Sequence, residues 1–130
     1  MKQFCDLYDS RRLIDELGFD GEFIGYHVID GHEARVDVGG DRMDDNVVCG
    51  AVTPLQALEF LDSNGVHVHI IPYRKNGRVV FTYNIMYDFE VHVDDDSHVA
   101  MYERSFTVNC AIHEAVTILV NRKMNGSKNR

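Results

Sequence analysis

The chain has 130 residues, 45% of them hydrophobic and 26% charged, which are the proportions of a single soluble globular domain. Its net charge of −8 disfavours nucleic acid as a partner, and no apolar run reaches the roughly 18 residues of a membrane-spanning helix. Because no signal peptide begins the chain and its three cysteines form no CxxC pair, we expect a cytoplasmic protein with reduced thiols.

A short helix is predicted near the start of the chain. Leu7, Ile14 and Leu17 recur at helical spacing within residues 6–17, and Gly18 follows as a typical C-terminal stop. The apolar stripe is narrow, so this helix is expected to cover only a small part of the core.

A β-hairpin is predicted next, in EFIGYHVIDGHEARVDV, with its turn at Asp30-Gly31. A two-residue turn at these positions would place apolar residues of the first strand opposite charged residues of the second. A three-residue loop with Gly31 as a left-handed bulge instead pairs Val28 with His32 and separates apolar from charged positions. We predict the bulged register for this reason, and it leaves His27 on the outer face of the hairpin.

Acidic side chains are concentrated before residue 47, where 12 Asp and Glu stand against five Lys and Arg. A glycine-led loop over residues 39–46 contributes several of these acids. Its oxygen ligands do not match the EF-hand spacing, so a solvated loop is expected rather than a calcium site. Electrostatic complementarity favours a basic protein surface as the partner of this region. The residues expected to contact that partner are Glu33, Asp37, Asp41, Asp44 and Asp45.

A short buried strand and a second helix are predicted between residues 47 and 65. The strand is the apolar run VVCGAV, residues 47–52. The helix begins with the capping box Thr53-Pro54-Leu55-Gln56, which has threonine at N-cap, proline at N1 and glutamine at N3. Asn64-Gly65 is a typical left-handed end for this helix.

A long strand is predicted from Val79 to Val93, where every odd position is apolar and most even positions are polar. Asn76-Gly77 before it predicts a two-residue hairpin turn to the strand GVHVHIIPY. The resulting register makes Val68 face Ile85, and it buries one face of both strands while exposing the other. This agreement between two independent alternations supports the register.

His67 and His69 share the exposed face of this hairpin and are the candidate metal ligands, with a transition metal such as zinc as the alternative to no cofactor. His92 and Asp94 fall on the same face, but an unbroken strand places His92 roughly 20 Å from His67. These four side chains could bind one ion only if the strand is broken. A third ligand would otherwise come from another strand, such as the one carrying His27 or Glu33. We prefer a solvated sheet face without a metal.

The last predicted elements are a strand in HVAMYE, residues 98–103, and a helix over about residues 107–123 that Asn125-Gly126 ends. His113-Glu114 lacks the second histidine of the zincin HExxH motif, and both residues are expected on the exposed side of the helix. The start of this helix also lacks the basic residues of a double-stranded-RNA-binding domain. No GxSxG, P-loop or GxGxxG motif occurs, so the sequence favours a protein that is not an enzyme.

The predicted element order is α-β-β-(β)-α-β-β-β-α. Strands follow one another through hairpins rather than helical crossovers, which predicts an α+β fold, an antiparallel sheet with helices packed on one face in a two-layer sandwich. Residues 1–124 are expected to form one domain, and residues 125–130 a frayed polar tail.

The segment from Leu58 to Met124 resembles small uncharacterised α+β proteins of phages and bacterial mobile elements. The shared pattern is a helix ending in LDSNGV, then VHIIPY, a β-hairpin and the final helix AIHEAVTILV, which together cover about half of the chain. The resemblance implies a non-catalytic accessory protein or inhibitor. We therefore expect a cytoplasmic protein-binding module that contacts a basic partner and also self-associates as a homodimer. The alternative is a metal-binding protein or metal-dependent enzyme that uses His67 and His69.

Overall fold

The computed structural model describes residues 3–39, 46–94 and 103–128, without the side chains of residues 92–94 and 126–128. Helices and antiparallel strands are both present, which confirms the α+β class. Within these ranges, no helix combines the length and the apolar character needed to cross a membrane.

The elements are α1 (Leu7–Arg11), a π-helix (Arg12–Glu16), β1 (Gly25–Asp30), β2 (Glu33–Val38), β3 (Val47–Gly50), α2 (Pro54–Ser63), β4 (Val66–Lys75), β5 (Arg78–Tyr87), β6 (Glu90–Asp94) and α3 (Arg104–Lys128).

The described strands form two antiparallel sheets of three strands each, in the orders β2-β1-β3 and β4-β5-β6. α3 packs on β4 and β5, α2 packs on β4 and α3, and α1 packs on β3. The main core therefore lies between the second sheet and the helices, where each buried aliphatic side chain contributes about 1.5–3 kcal/mol. Its fully buried members include Leu13, Val52, Ala57, Leu61, Val66, Ile85, Ala111, Ile112, Ala115 and Val116.

The first helix changes from α to π geometry in its middle. Asp6 is the N-cap and accepts a hydrogen bond from the backbone N–H of Asp9 at 2.8 Å. From Arg12 onward the backbone bonds span five residues, as in the 3.0 Å bond from the N–H of Leu17 to the carbonyl of Arg12. Gly18, with φ of +77°, follows at the predicted stop. The π geometry turns Arg12 and Leu13 into the interior, where both are buried.

The first hairpin forms as expected, but its register differs from the predicted one. Val28 faces Arg35 and Asp30 faces Glu33, so the turn consists of Gly31 and His32 and the predicted three-residue bulge is wrong. Gly31 has a φ of +61° and takes the first position of a two-residue turn directly, so no extra residue is needed.

His27 is buried, which corrects its expected place on the outer face. β1 is the central strand of its sheet, and its pairing with β3 shifts between His27 and Val28. This irregularity directs both side chains into the interior, because the strict alternation of a regular strand is interrupted there.

The β4–β5 hairpin has the predicted register along its whole length, including Val68 facing Ile85. Its turn residues Asn76 and Gly77 have φ values of 53° and 76°, as a type I′ turn requires.

The predicted long strand from Val79 to Val93 is wrong because the chain turns back at Asp88-Phe89. These two residues have φ values of 54° and 65°, and β6 then pairs antiparallel with β5. Glu90 faces Tyr87 after the turn. The apolar alternation runs through the turn without a glycine or asparagine, so periodicity alone could not reveal it.

The capping box of α2 forms as predicted. Thr53 Oγ1 accepts from the N–H of Gln56 at 3.1 Å, and Gln56 Oε1 accepts from the N–H of Thr53 at 3.0 Å. α3 is longer than predicted and continues through Asn125-Gly126 to Lys128. The predicted strand over residues 98–103 falls almost entirely outside the described residues.

Candidate functional site

Two of the predicted partner-binding acids, Glu33 and Asp37, lie on β2, while Asp41, Asp44 and Asp45 lie outside the described residues. Glu33 faces Asp30 across the hairpin, which adds an acid that the sequence analysis did not single out. Glu33 and Asp37 share one face of the hairpin because side chains an even number of residues apart on a strand point to the same side. Asp30 lies on this face too, because it directly faces Glu33.

Arg35 lies among these acids and partly neutralises them. Its Nε donates to Asp37 Oδ1 at 3.0 Å, and its Nη1 is 3.8 Å from Asp30 Oδ2. The hydrogen bond and the charge of Asp37 raise the pKa of Arg35. Glu33 forms no ion pair among the described contacts, so it is the acid best able to meet an external cation.

β2 is an edge strand, and no other described strand pairs with its outer side. All six of its residues are exposed or half-exposed. The face opposite the acids is apolar, with Ala34, Val36 and Val38 along it and the exposed Ile29 beside them on β1. An edge of this kind can accept an additional strand through main-chain hydrogen bonds.

His67 and His69 face Met86 and Asn84 across the hairpin, as predicted. His67 is engaged by α2, because its Nδ1 lies 2.6 Å from Asp62 Oδ1. His69 is exposed. The register of the second sheet therefore keeps the two imidazoles on one face.

The expected separation of the other ligands is wrong because β6 folds back. Asp94 faces Asn84, which in turn faces His69, so only two strand spacings, about 10 Å, separate the backbones. The side chains of His92 and Asp94 lie outside the described set. His27 and Glu33, the other suggested ligands, belong to the first sheet. Among the described residues, no group of three or more His, Cys, Asp or Glu is placed to bind a metal.

A buried ionic cluster joins α1 and the π-helix to α3. Asp9 Oδ1 accepts from Arg12 Nη2 at 2.8 Å and lies 2.9 Å from His113 Nδ1. Because a carboxylate beside an arginine accepts hydrogen bonds, Nδ1 of His113 is the donor in its contact with Asp9. The His113 side chain is 49% exposed, whereas that of Asp9 is only 5% exposed.

Arg12 makes the remaining contacts of this cluster. Its Nη1 donates to Thr117 Oγ1 at 2.8 Å, its Nη2 donates to the carbonyl of His113 at 3.3 Å, and its guanidinium lies 4.4 Å from the centre of the Tyr8 ring. Its Nε is buried without a hydrogen-bond partner in the described part of the chain. The direct effect of the cluster is to fasten the first helix to the last. The sequence offered no signal for it, since the partners are distant in the chain.

Glu114 points toward the sheet, which corrects its expected place on the exposed side of α3. Tyr83 donates its hydroxyl hydrogen to Glu114 Oε2 at 2.7 Å. Burial, followed by the hydrogen bond and charge of Glu114, raises the pKa of Tyr83. This contact links α3 to the centre of the second sheet.

A second buried polar group surrounds His27. Its Nε2 lies 3.1 Å from both the carbonyl of Cys5 and Ser10 Oγ, and Ser10 Oγ accepts from the N–H of Val52 at 3.2 Å. Burial lowers the pKa of His27. Ser10 is fully buried, so this serine–histidine pair supports the packing of α1 on the first sheet and is closed to a substrate.

No protein-family model, curated protein or solved structure matches the chain. The resemblance to phage and mobile-element proteins therefore stays a prediction. The function has to be inferred from the geometry of the described residues.

Proposed function

We propose that the protein is a small cytoplasmic protein-binding module that adds an extended, basic segment of a partner protein to the edge strand β2. The observation that carries this proposal is that β2 has no described neighbour on its outer side while all of its residues are exposed or half-exposed. A partner strand at this edge would form main-chain hydrogen bonds like those of an antiparallel ladder.

The side chains of β2 specify the chemistry of the partner strand. Glu33 and Asp37 lie on one face, and the small and branched apolar residues Ala34, Val36 and Val38 lie on the other. Directly opposed residues of paired strands interact through their side chains, so the favoured segment has cationic residues opposite Glu33 and Asp37, a residue without positive charge opposite Arg35, and apolar residues at the positions between them. The net charge of −8 increases the rate at which a basic segment meets this surface.

Basic extended segments are common in proteins that process nucleic acids, because they bind phosphates. We therefore propose that the partner is of this kind and that the protein acts as an accessory factor or inhibitor, as the resemblance to phage proteins implies.

The proposal can be tested with a synthetic peptide that alternates valine with polar residues, labelled for fluorescence anisotropy; the polar residues are lysine, except for threonine at the position that faces Arg35. Glu33→Lys should weaken binding about tenfold, since it places a cation opposite the lysines. Ala34→Pro should also weaken binding, because the N–H of residue 34 points to the outer side of β2 and is not needed by β1. Circular dichroism would check that both variants keep the fold.

The matched control is Glu59→Lys, the same charge change at an exposed position of α2, outside both sheets. It should leave peptide binding nearly unchanged. Equal losses in Glu33→Lys and Glu59→Lys would show that only net charge matters, and the proposed edge would then be wrong.

A further inference from the structure

The backbone groups of β2 point alternately toward β1 and toward the outer side of the sheet, where no other described strand pairs. Asp30 and Glu33 flank a two-residue turn, and such a flanking pair exchanges hydrogen bonds. At the other end of the hairpin, the N–H of Gly39 donates to the carbonyl of Ile24 at 2.8 Å. The odd positions of β2 are therefore bonded to β1. The outward N–H and C=O groups belong to the even positions, Ala34, Val36 and Val38.

The side chains of β2 are complementary to a second copy of the same strand. When two copies lie antiparallel with Val36 facing Val36, Arg35 of each copy faces Asp37 of the other. Ala34 then faces Val38, so every facing pair of even positions can exchange main-chain hydrogen bonds as in a regular ladder. The charged residues occupy the pairs without hydrogen bonds, where facing side chains lie closest together.

The charged face of such a pair alternates in sign. In each copy, Arg35 Nε already donates to Asp37 Oδ1 of its own strand at 3.0 Å. The same two residues of the other copy complete a group of four charges in which each neighbour has the opposite sign. Glu33 faces Gly39, which has no side chain, so no acid is set opposite another acid. Opposite charges directly across a strand pair stabilise it, and like charges destabilise it.

Other positions of the two-fold axis fit less well. An axis at Arg35 or at Asp37 makes that residue face itself, which sets like charges directly opposite each other. An axis at Ala34 pairs Arg35 with Glu33, but it draws in Gly31 and His32, which form the turn rather than the strand. The charge pattern and the hydrogen-bonding pattern therefore agree at Val36.

The opposite face of the paired strands is apolar. In the single copy, Val38 is 66% exposed and Ile29 beside β2 is 42% exposed. With the axis at Val36, Val38 lies against Ala34 of the other copy, and an apolar strip runs across both sheets. Its removal from water adds to the main-chain hydrogen bonds.

We propose that two copies of the chain associate through β2 about a two-fold axis at Val36, joining their first sheets into one continuous antiparallel sheet. The dimer itself does not depend on the basic partner. Because the edge accepts one strand at a time, dimer and partner exclude each other, and this second step rests on the proposed function. A basic segment must then displace the second copy to reach β2.

The affinity of this dimer is expected to be modest. One strand from each copy covers less than the about 800 Å² per partner of a standard interface. The net charge of −8 also makes two copies repel each other, although salt at about 0.15 M limits this repulsion to about 8 Å. A dissociation constant between about 10 µM and about 1 mM is therefore expected.

Sedimentation velocity over about 1 µM to about 1 mM protein tests the facing charges. Arg35→Asp sets acids opposite acids and Asp37→Arg sets bases opposite bases, so each should raise the dimer dissociation constant at least about tenfold. The matched control is Glu33→Lys, which changes the net charge as much as Asp37→Arg does. It should not raise the constant, because Gly39 lies opposite, although it weakens peptide binding. Circular dichroism checks the fold of each variant.

Mixing the variants gives the most specific result. The Arg35→Asp copy has acids at both charged positions and the Asp37→Arg copy has bases at both, so every facing pair in a mixed dimer is attractive. The mixed dimer should be tighter than the dimer of either variant alone. Arg35→Asp mixed with Glu33→Lys should form a weaker mixed dimer, since these two positions do not face each other. Equal affinity in the two mixtures would move the axis to Ala34 and contradict the proposal.

The peptide designed for the proposed function tests whether the edge is shared. Added to wild-type dimer, it should produce complexes of one chain with one peptide. A wild type that is monomeric at the highest concentration, or wild-type dimerisation by Arg35→Asp and Asp37→Arg, would overturn the dimer. A dimer that binds peptide without dissociating would overturn the shared edge. If the dimer obeys the charge pattern but no peptide binds, the dimer is supported and only the proposed function fails.

Discussion

Asp9 and His113 lie 104 residues apart in the sequence, yet Oδ1 of Asp9 is 2.9 Å from Nδ1 of His113. The same oxygen accepts from Arg12 Nη2 at 2.8 Å. The side chains of Asp9 and Arg12 are 5% and 9% exposed, so the pair is shielded from water. This cluster holds α1 and the π-helix against α3.

Asp9→Asn should destabilise the protein strongly, because it leaves the Arg12 guanidinium buried without its counter-ion. Loss of one partner of a buried pair costs about 3–5 kcal/mol in the free energy of unfolding, which urea denaturation would measure. The control is Asp15→Asn, whose partner Arg11 is 3.9 Å away in an ion pair with both side chains more than half exposed. It should change the free energy by less than about 1 kcal/mol. A similarly small loss for both variants would contradict the importance of the buried pair.

His27 should make stability fall in acid. Its folded-state pKa lies below the ordinary 6.5 because burial opposes the charge, although the Cys5 carbonyl and Asp6 act in the other direction. Below about pH 6.5 the unfolded chain therefore binds a proton that the folded chain does not, and stability is lost as the pH falls toward the folded-state pKa. Above that pH His27 is neutral in both the folded and the unfolded chain, so its titration no longer lowers the free energy of unfolding.

Urea denaturation at about pH 7.5 and about pH 5.5 would measure this loss in the wild type and in His27→Gln. Glutamine keeps a donor near the position of Nε2 but does not titrate, so the variant should lose less stability between the two pH values. An equal loss in both proteins would assign the acid sensitivity to other groups.

Two of the thiols should react slowly with alkylating reagents. Burial and the charges of Asp9 and Asp6 raise the pKa of Cys5 to about 12, and burial raises the pKa of Cys49 to about 11. The thiolate is the nucleophile, so at about pH 8 iodoacetamide should modify Cys49 on the order of a hundredfold more slowly than free cysteine. Cys5 should be slower again, since it is also buried. Mass spectrometry of timed samples would show the order, and rapid labelling of Cys5 in the folded protein would contradict it.

The similar turns Asn76-Gly77 and Asp88-Phe89 should respond in opposite ways to substitution. Phe89→Gly should raise the free energy of unfolding by about 0.5–1 kcal/mol, since the relief of a strained left-handed residue exceeds the entropy cost of glycine. Gly77→Ala should lower it by about 1 kcal/mol; a β-carbon there would touch nothing within 4 Å, so the cost comes from the φ of 76° alone. Thermal denaturation of the two variants measures both changes. A loss of stability in Phe89→Gly would show that the ring supports the fold.

Local sequence signals predicted the parts of the fold that depend on neighbouring residues. The Thr53–Gln56 capping box is satisfied within four residues, so its hydrogen bonds could be assigned from the sequence. The Asn76-Gly77 turn likewise determined the β4–β5 register, because a two-residue turn leaves one way to pair the strands and both alternations agreed with it. The shared face of His67 and His69 followed directly from that register.

Elements without a local signal were predicted less well. The Asp88-Phe89 turn contains neither glycine nor asparagine, so the apolar alternation predicts one long strand. That prediction misses the turn, which brings the backbone of Asp94 to within two strand spacings of His69. The first hairpin register was wrong because both predicted turns placed Gly31 last, whereas Gly31 takes the first position of a two-residue turn with His32.

The sequence by itself determined the α+β class, the β4–β5 hairpin and the acidic character of the first hairpin, because composition, periodicity and turn residues are local properties. Only the tertiary structure decided that β2 is an edge, that His27 is buried, and that Asp9, Arg12 and His113 meet. These features depend on which distant surfaces pack together, and packing is selected by the total burial and hydrogen bonding of the whole chain rather than by any one segment.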